Sequence, residues 1–296
     1  MPAKVILNPY SGRWTALKRR GEAEAALRAA GIDYELVVTE RPGHGIELAA
    51  QAARDGFSPI VSAGGDGATG EVVNGLMRAR PEGVLGPLGL LPLGTANDLA
   101  HNLGLPLDLE GAARAIAGGR TRRIDLGRVN EWVFDNNSAV GLEPRVTIHN
   151  IRMVRLKGVV RYLVAALRAI NEKPAWTMRL AWDDGSYEGP VSLVSVGNCP
   201  VTGGLFRMAP DADPADGRLT FVFGYAPTRR RMLALLPRTI NGSYVHDPAM
   251  RQVHTRRLTI HSDPPTPLQA DGEIRLEAGQ DFVYECLPAR LDILTP

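Results

Sequence analysis

A lone carboxylate set among glycines is the feature of this chain best suited to chemistry: Gly64-Gly65-Asp66-Gly67-Ala68-Thr69-Gly70. A short β-branched run, Ile60-Val61-Ser62-Ala63, leads into it, and a helical pattern follows through Glu71-Val72-Val73-Asn74-Gly75-Leu76. A strand, a glycine loop and a helix start together bring backbone N–H groups close to a phosphate. Asp66 would then stand near the phosphates or their metal. The loop reads as the nucleotide end of an active site.

Other readings of the loop are weaker. Gly65 to Gly70 formally fits the G-x-G-x-x-G pattern, but a dinucleotide fold also needs an acid about 20 positions on, at a strand end. That window here, Val84 to Pro92, holds no acid, and Glu82 precedes the strand. The Walker pattern is absent because no Gly-Lys is followed by Ser or Thr. A plain tight turn remains the alternative.

Two more carboxylate groups lie late in the chain. Asp271 sits in Gln269-Ala270-Asp271-Gly272-Glu273, between strand-like segments. An Asp-Gly pair there is also the signature of a type I′ hairpin with no chemistry. Asp211, Asp213 and Asp216 crowd one loop before Gly217. Calcium loops look similar, but the EF-hand pattern is missing. Glycine N–H donors, a helix start and carboxylates from several segments are what phosphoryl transfer requires, since it asks for positioning and charge neutralisation.

The elements that must hold these groups alternate in the first part of the chain. Lys4 to Leu7 reads as a strand ending at Asn8-Pro9-Tyr10-Ser11-Gly12, and Thr15 to Ala30 as a helix stopped by Gly31. Strand Tyr34 to Val38, helix Gly45 to Arg54 and strand Pro59 to Ala63 follow, then the glycine loop and a helix to Ala79. Leu88 to Leu91 is another strand, leading to Gly94-Thr95-Ala96-Asn97-Asp98 with Thr95 as an N-cap. Pro106 separates that helix from one over Leu109 to Ala117. Such alternation predicts a parallel sheet with helices on both faces, and right-handed crossovers put the loops at 8–12, 64–70 and 94–98 on one edge. After Gly118-Gly119 the rhythm turns β-rich. Strands are expected at Ile124–Val129, Trp132–Asn136, Thr177–Trp182, Val191–Val196, Leu219–Phe223, Leu258–His261 and Asp281–Glu285. Helices are expected at Asn150–Ile170 and Thr228–Leu236. The reading is a sandwich, with Leu291 to Leu294 free to pair with either domain.

With 296 residues, two domains are expected. Lys+Arg 34 against Asp+Glu 32 gives +2, too little to argue for nucleic acid. Cys199 and Cys286 stand far apart, which suits a reducing cytosol and offers no disulfide or zinc framework. No signal peptide and no apolar run near 18 residues is seen, so neither a membrane span nor secretion is expected.

Taken in order, Asn8-Pro9-Tyr10-Ser11-Gly12, Gly64-Gly65-Asp66-Gly67, Leu93-Gly94-Thr95-Ala96-Asn97-Asp98, Ile124-Asp125-Leu126-Gly127, Gly203-Gly204 through Pro210 and Ala212 to Asp216-Gly217, and Asp271-Gly272-Glu273 form a pattern. It resembles the diacylglycerol kinase catalytic family, most closely the soluble bacterial lipid kinases, over nearly the whole chain. The resemblance implies an α/β nucleotide-binding domain with a parallel sheet like that of NAD kinases and diacylglycerol kinases, plus a β-sandwich domain. The boundaries that follow are 1–122, 123–288 and a tail at 289–296 returning to the first domain.

The resemblance further implies ATP in the cleft between the domains and transfer of its γ-phosphoryl to a lipid hydroxyl, on diacylglycerol or a related lipid, with Mg²⁺. Thr39, Gly64, Gly65, Asp66, Gly67, Ala68, Thr69, Gly70, Thr95 and Asn97 would contact ATP. Asp271 would be the general base, with Glu273 close by. Asp216 would hold a structural Mg²⁺ beside the carbonyls of Asp213 and Arg218. Asp98 and Asp125 would belong to an acidic, water-linked network near the catalytic metal. The chain departs from the family pattern at Ala68, where Thr is usual, and at Gly70, where Asn is usual. Thr69 is then the hydroxyl left to serve one position late. The alternatives are an NAD kinase-like enzyme, or a lipid- or nucleotide-binding protein with little turnover. The implied setting is the cytoplasm, peripheral at the inner membrane face, with a homodimer left open.

Two basic stretches bear on a lipid partner. Arg152, Arg155, Lys157, Arg161 and Arg168 are interleaved with apolar residues, and Arg229-Arg230-Arg231 precedes Met232, Leu233, Leu235 and Leu236. A basic amphipathic helix either lies on an anionic membrane or packs its apolar face on a sheet, leaving its arginines in water.

Overall fold

The alternating pattern of the first part becomes a parallel sheet in the computed structural model, which describes residues 2–153, 158–172 and 175–296. Its elements are β1 (Ala3–Leu7), α1 (Ser11–Lys18), α2 (Arg20–Ala29), β2 (Tyr34–Val38), α3 (His44–Arg54), β3 (Ile60–Gly64), α4 (Asp66–Ala79), β4 (Leu85–Pro92), α5 (Asp98–Asn102) and α6 (Leu109–Gly118). β1 pairs in parallel with β2 and β3, and β3 with β4. Val5, Leu7, Val61 and Leu91 are fully buried between helices, as parallel strands covered on both faces must be. Asp108 caps α6 by accepting the Gly111 N–H at 2.7 Å.

Three expectations in this region need correction. The helix expected over Thr15 to Ala30 is broken at Arg19, and Gly12, Arg13 and Trp14 are left-handed within α1. The loop expected at 64–70 is shorter, because α4 begins at Asp66 and takes Ala68, Thr69 and Gly70 into its buried face. Thr95 is exposed and caps nothing; the residue before α5 is Asn97.

The later strands are β5 (Arg120–Val129), β6 (Trp132–Phe134), β7 (Asn137–Gly141), β8 (Trp176–Trp182), β9 (Gly185–Val191), β10 (Leu193–Gly197), β11 (Leu219–Gly224), β12 (Met250–Thr255), β13 (Arg257–Ala270) and β14 (Glu273–Thr295), and from β7 to β13 they pair antiparallel. One layer runs β12-β11-β10-β7-β13. β13 changes register at bulges between His261 and Thr266, and its first half pairs instead with β8, which pairs with β9. Trp182 and Tyr187 of that second layer meet Phe221 and Phe223 of β11 edge-on or tilted, with ring centroids 5.1–5.9 Å apart. This is sandwich packing, face to face through aromatic side chains. The helices are α7 (Leu142–Arg152), α8 (Gly158–Asn171) and α9 (Arg229–Leu235). The single helix expected over Asn150 to Ile170 is thus two; Arg155 and Lys157 lie outside the described residues. Thr228 caps α9, accepting the Arg231 N–H at 3.2 Å.

Two compact units result. The first takes the chain through Leu126 with Val133–Asp135 and Leu287–Pro296; the second takes Gly127–Trp132 and Asn136–Cys286. In the first unit Leu291 and Ile293 pair in parallel with Leu85 and Leu88 of β4. Arg123 grips Asp292 there through two bonds of 2.8 and 3.0 Å, and Asp125 accepts the Ala289 N–H at 2.6 Å.

Candidate active site

In the first unit, two glycine turns meet backbone to backbone. A Cβ on Gly94 would lie 2.4 Å from the Cα of Gly65, and one on Gly65 would lie 3.0 Å from the Cα of Gly94. No side chain fits at that approach. The N–H of Leu93 donates to Gly64 O at 2.9 Å, and Asn97 Oδ1 accepts the Gly94 N–H at 3.0 Å. Asp66 joins the same knot. Its carboxylate accepts N–H groups of Asp98 and Leu99 at the start of α5. Burial pushes this carboxyl above the ordinary range, and those donors pull against the shift.

The knot refines the expected phosphate cradle. The Gly65 N–H is engaged by Ser11 Oγ at 3.2 Å and the Gly94 N–H by Asn97, so neither is idle. Helix geometry leaves the first-turn N–H groups of Gly67 and Ala68 without intrahelical acceptors, and these are the donors available to an anion. Thr69 cannot stand in for the missing family hydroxyl. It is buried, and its Oγ1 lies 3.2 Å from Ser62 Oγ. Thr39 is buried at the end of β2, with its N–H on Leu7 O at 2.9 Å. Asp98 is buried at the first position of α5, and Asp125 is buried on β5.

The second unit holds Asp271. Ala270 and Glu273 pair across the turn, and Asp271 and Gly272 have φ of 48° and 77°. These positive values are those of a type I′ hairpin. The turn is nonetheless built around the carboxylate. Asp271 is buried, and its Oδ1 accepts the backbone N–H groups of Asn136 and Asn137 at 3.0 and 3.1 Å. Its own N–H donates to Asn137 O at 2.8 Å. Two N–H donors on one oxygen fix the orientation of a group that can take a proton. Glu273 is exposed.

The sequence reading missed the polar layer behind this turn. Asn137 Nδ2 and Gln269 Nε2 donate to Glu143 Oε1 at 2.8 and 3.0 Å, and Gln269 Oε1 accepts the Gly272 N–H at 2.9 Å. The available signal was Asp135-Asn136-Asn137-Ser138, four polar residues between apolar strand segments. Burial pushes the Glu143 carboxyl above its ordinary value of 4.5, while Asn137, Ser195 and Gln269 pull it back. A folded-state pKa above the unfolded one makes stability fall as pH rises through the unfolded value toward the folded one. Glu143→Gln should therefore match wild type in melting temperature near pH 4 and exceed it increasingly toward pH 8. Parallel melting curves at all pH values would contradict this.

The acid loop is smaller than expected. Asp213 accepts the Ala215 N–H at 3.0 Å and Asp216 the Arg218 N–H at 2.9 Å, whereas Asp211 turns to Gln252. Among the described residues, no group of three or more His, Cys, Asp or Glu side chains could hold a metal. The basic stretches are mixed. Arg231 pairs with Asp247 at 2.5 Å, and Arg229 donates to Asn171 O, so both face protein partners. Arg152, Arg168 and Arg230 are exposed, beside exposed Ile151, Leu167 and Leu233. Among the described residues, no helix is long and apolar enough to cross a membrane.

Comparison with known proteins agrees over the whole length. Residues 2–129 match the family described as the diacylglycerol kinase catalytic domain, and residues 137–295 the YegS C-terminal NAD kinase beta sandwich-like domain. A diacylglycerol kinase of Staphylococcus epidermidis is 27% identical over 99% of this chain and 92% of its own. That of Staphylococcus haemolyticus is also 27% identical, over 99% of this chain and 88% of its own. Two solved Bacillus anthracis structures share the fold across all of this chain. One has TM-score 0.81, 21% identity and 95% of its own chain covered. The other, a diacylglycerol kinase, has TM-score 0.71, 19% identity and 97% covered. With one match spanning the glycine knot and the other the Asp271 turn, the chain belongs to the diacylglycerol kinase family.

Proposed function

We propose that this protein is an ATP-dependent lipid kinase, transferring the γ-phosphoryl of ATP to a hydroxyl of diacylglycerol or a related lipid at a membrane surface. The observation that carries this reading is the buried Asp271 carboxylate, oriented by the N–H groups of Asn136 and Asn137. In this role Asp271 takes the proton of the acceptor hydroxyl as the oxygen attacks phosphorus. The first-turn N–H groups of α4 receive phosphate oxygens, and the Gly65–Gly94 approach keeps that ground clear of side chains. Mg²⁺, when bound, neutralises phosphate charge.

A Mg²⁺ ion suits the donors of the acid loop, since it keeps several waters and needs only one or two carboxylates. Asp216 would supply one, with the carbonyls of Asp213 and Arg218. If so, chelator should lower the melting temperature of wild type, and Asp216→Ala should melt at that lower value with or without Mg²⁺. Equal melting of both proteins in Mg²⁺ and in chelator would remove the ion from this loop.

The decisive assay is direct. Purified protein, γ-labelled ATP and Mg²⁺ are incubated with total lipid extract, or with NAD, as acceptor. Label in an organic-phase product is the expected result. Label on NAD would favour the NAD kinase-like reading, and label on neither a binding protein.

A further inference from the structure

The polar layer behind the Asp271 turn closes on itself. Asp271 Oδ1 accepts the Asn137 N–H at 3.1 Å, and Asn137 Nδ2 donates to Glu143 Oε1 at 2.8 Å. Gln269 Nε2 donates to that same oxygen at 3.0 Å, while Gln269 Oε1 accepts the Gly272 N–H at 2.9 Å. Gly272 follows Asp271 in the chain, so the ring returns to the carboxylate from which it started. A longer contact, from Gln269 Nε2 to Asn137 Oδ1 at 3.3 Å, spans the same gap. The backbone aims Glu143 into this ring. β7 ends at Gly141, whose φ of 90° turns the chain into α7, and a Cβ there would lie 2.8 Å from Ser192 O. Glu143 follows in the first turn of α7 and reaches back over β7 to Asn137. Gln269 arrives from β13, opposite Ala139 of β7.

Stability alone does not call for a carboxyl here. Glu143 is buried, and hydrogen bonds from Asn137, Ser195 and Gln269 hold it with no cation among them. A carboxyl buried without a cation is destabilising. Such a group is retained where it sets the geometry of a site, since catalytic side chains are locked by the hydrogen bonds behind them. The lock here is directional. A side-chain amide offers N–H at one end and C=O at the other. An oxygen that accepts from both amides therefore decides which way each one points. It turns Gln269 Oε1 toward the Gly272 N–H and ties the Asn137 side chain down beneath its own backbone N–H, the one that Asp271 accepts.

We infer that Glu143 is a positioning residue for Asp271: by accepting from both Asn137 and Gln269 it holds the Asp271-Gly272 turn, and with it the carboxylate, in one orientation. The catalytic consequence rests on the reading of Asp271 as general base. The control of the turn does not.

Two measurements test this, and the first uses neither nucleotide nor lipid. Amide hydrogen exchange is followed in the full-length protein. In wild type the Gly272 N–H should be protected roughly a hundredfold or more, although it sits in a hairpin turn. In Glu143→Leu it should exchange at least roughly tenfold faster while the amides of β11 keep their rates. Glu143→Gln still offers an accepting oxygen and should stay within about threefold of wild type. Glu143→Met takes the place of a leucine variant that does not fold, and if neither folds the wild-type protection decides. Unprotected Gly272 in wild type, or unchanged exchange in a folded Glu143→Leu, would overturn the inference. The second measurement is kinetic. Glu143→Leu should lose roughly 10–100-fold in kcat on a lipid acceptor with the KM for ATP unchanged, and Glu143→Gln should recover at least about a third of wild-type turnover. In the Asp271→Asn background Glu143→Leu should cost nothing further, because the carboxylate it orients is gone. A further tenfold loss in that background would mark a general structural effect and overturn the positioning role. Full turnover in Asp271→Asn would instead strike the general-base reading, and the exchange result would then stand alone.

Discussion

Asp271→Asn is expected to fold as wild type and to lose roughly 10²–10⁴-fold in kcat on a lipid acceptor, the usual span for a positioned general base. The asparagine carbonyl can still accept the N–H groups of Asn136 and Asn137, so the bonds that organise the turn survive. Asn also tolerates the positive φ of 48° at this position. What it lacks is an oxygen able to take a proton. Steady-state rates and a thermal melt on the same preparation separate the two effects. Near wild-type turnover in a folded variant would take Asp271 out of the chemistry.

The second large effect is structural. Gly94→Ala should destabilise the first unit by about 3 kcal/mol, the upper end of the usual cost of overpacking, because the added methyl meets backbone that cannot rotate away. The clash is with Gly65 Cα at 2.4 Å. For a unit of this size the transition should fall by roughly 6–12 °C. Nucleotide binding should weaken with it, since Gly65 leads directly into α4. Gly21→Ala is the control. That glycine lies in α2, and a Cβ there would meet nothing within 4 Å, so alanine should be neutral or stabilising by roughly 0.5–1 kcal/mol. Equal melting of the two variants would show that the knot yields easily.

Much of the first unit was legible because its signals are local. Val5-Ile6-Leu7 and Ile60-Val61 are runs that a covered parallel sheet demands, and Gly31 stops a helix where its φ of +71° requires a glycine. The Asp271-Gly272 turn was legible too, but as two competing readings. The structure satisfies both, since the type I′ turn is what buries the carboxylate.

What the sequence hid depends on distance or on side-chain direction. Asp271 meets Asn136 across 135 positions, which no local pattern reports. Thr69 looked available from its place in the motif, yet helix geometry turns its hydroxyl onto Ser62. The strand expected over Leu258–His261 runs on to Ala270, because bulges between His261 and Thr266 let it continue in another layer. The apolar cavity beneath α7, α8 and α9 draws its walls from three helices and several strands, so no single segment announces it.

The return of the last strand to β4 has a consequence for synthesis. Most of the first unit leaves the ribosome early, yet its sheet lacks the strand containing Leu291 and Ile293 until almost the whole second unit has been translated. In that interval β4 presents an unpaired edge, a template for any passing strand. Nascent chains should therefore lean on chaperones until the Arg123–Asp292 clasp can close. Deleting residues 289–296 would make that transient exposure permanent and turn a late folding step into an aggregation defect of the early-made unit.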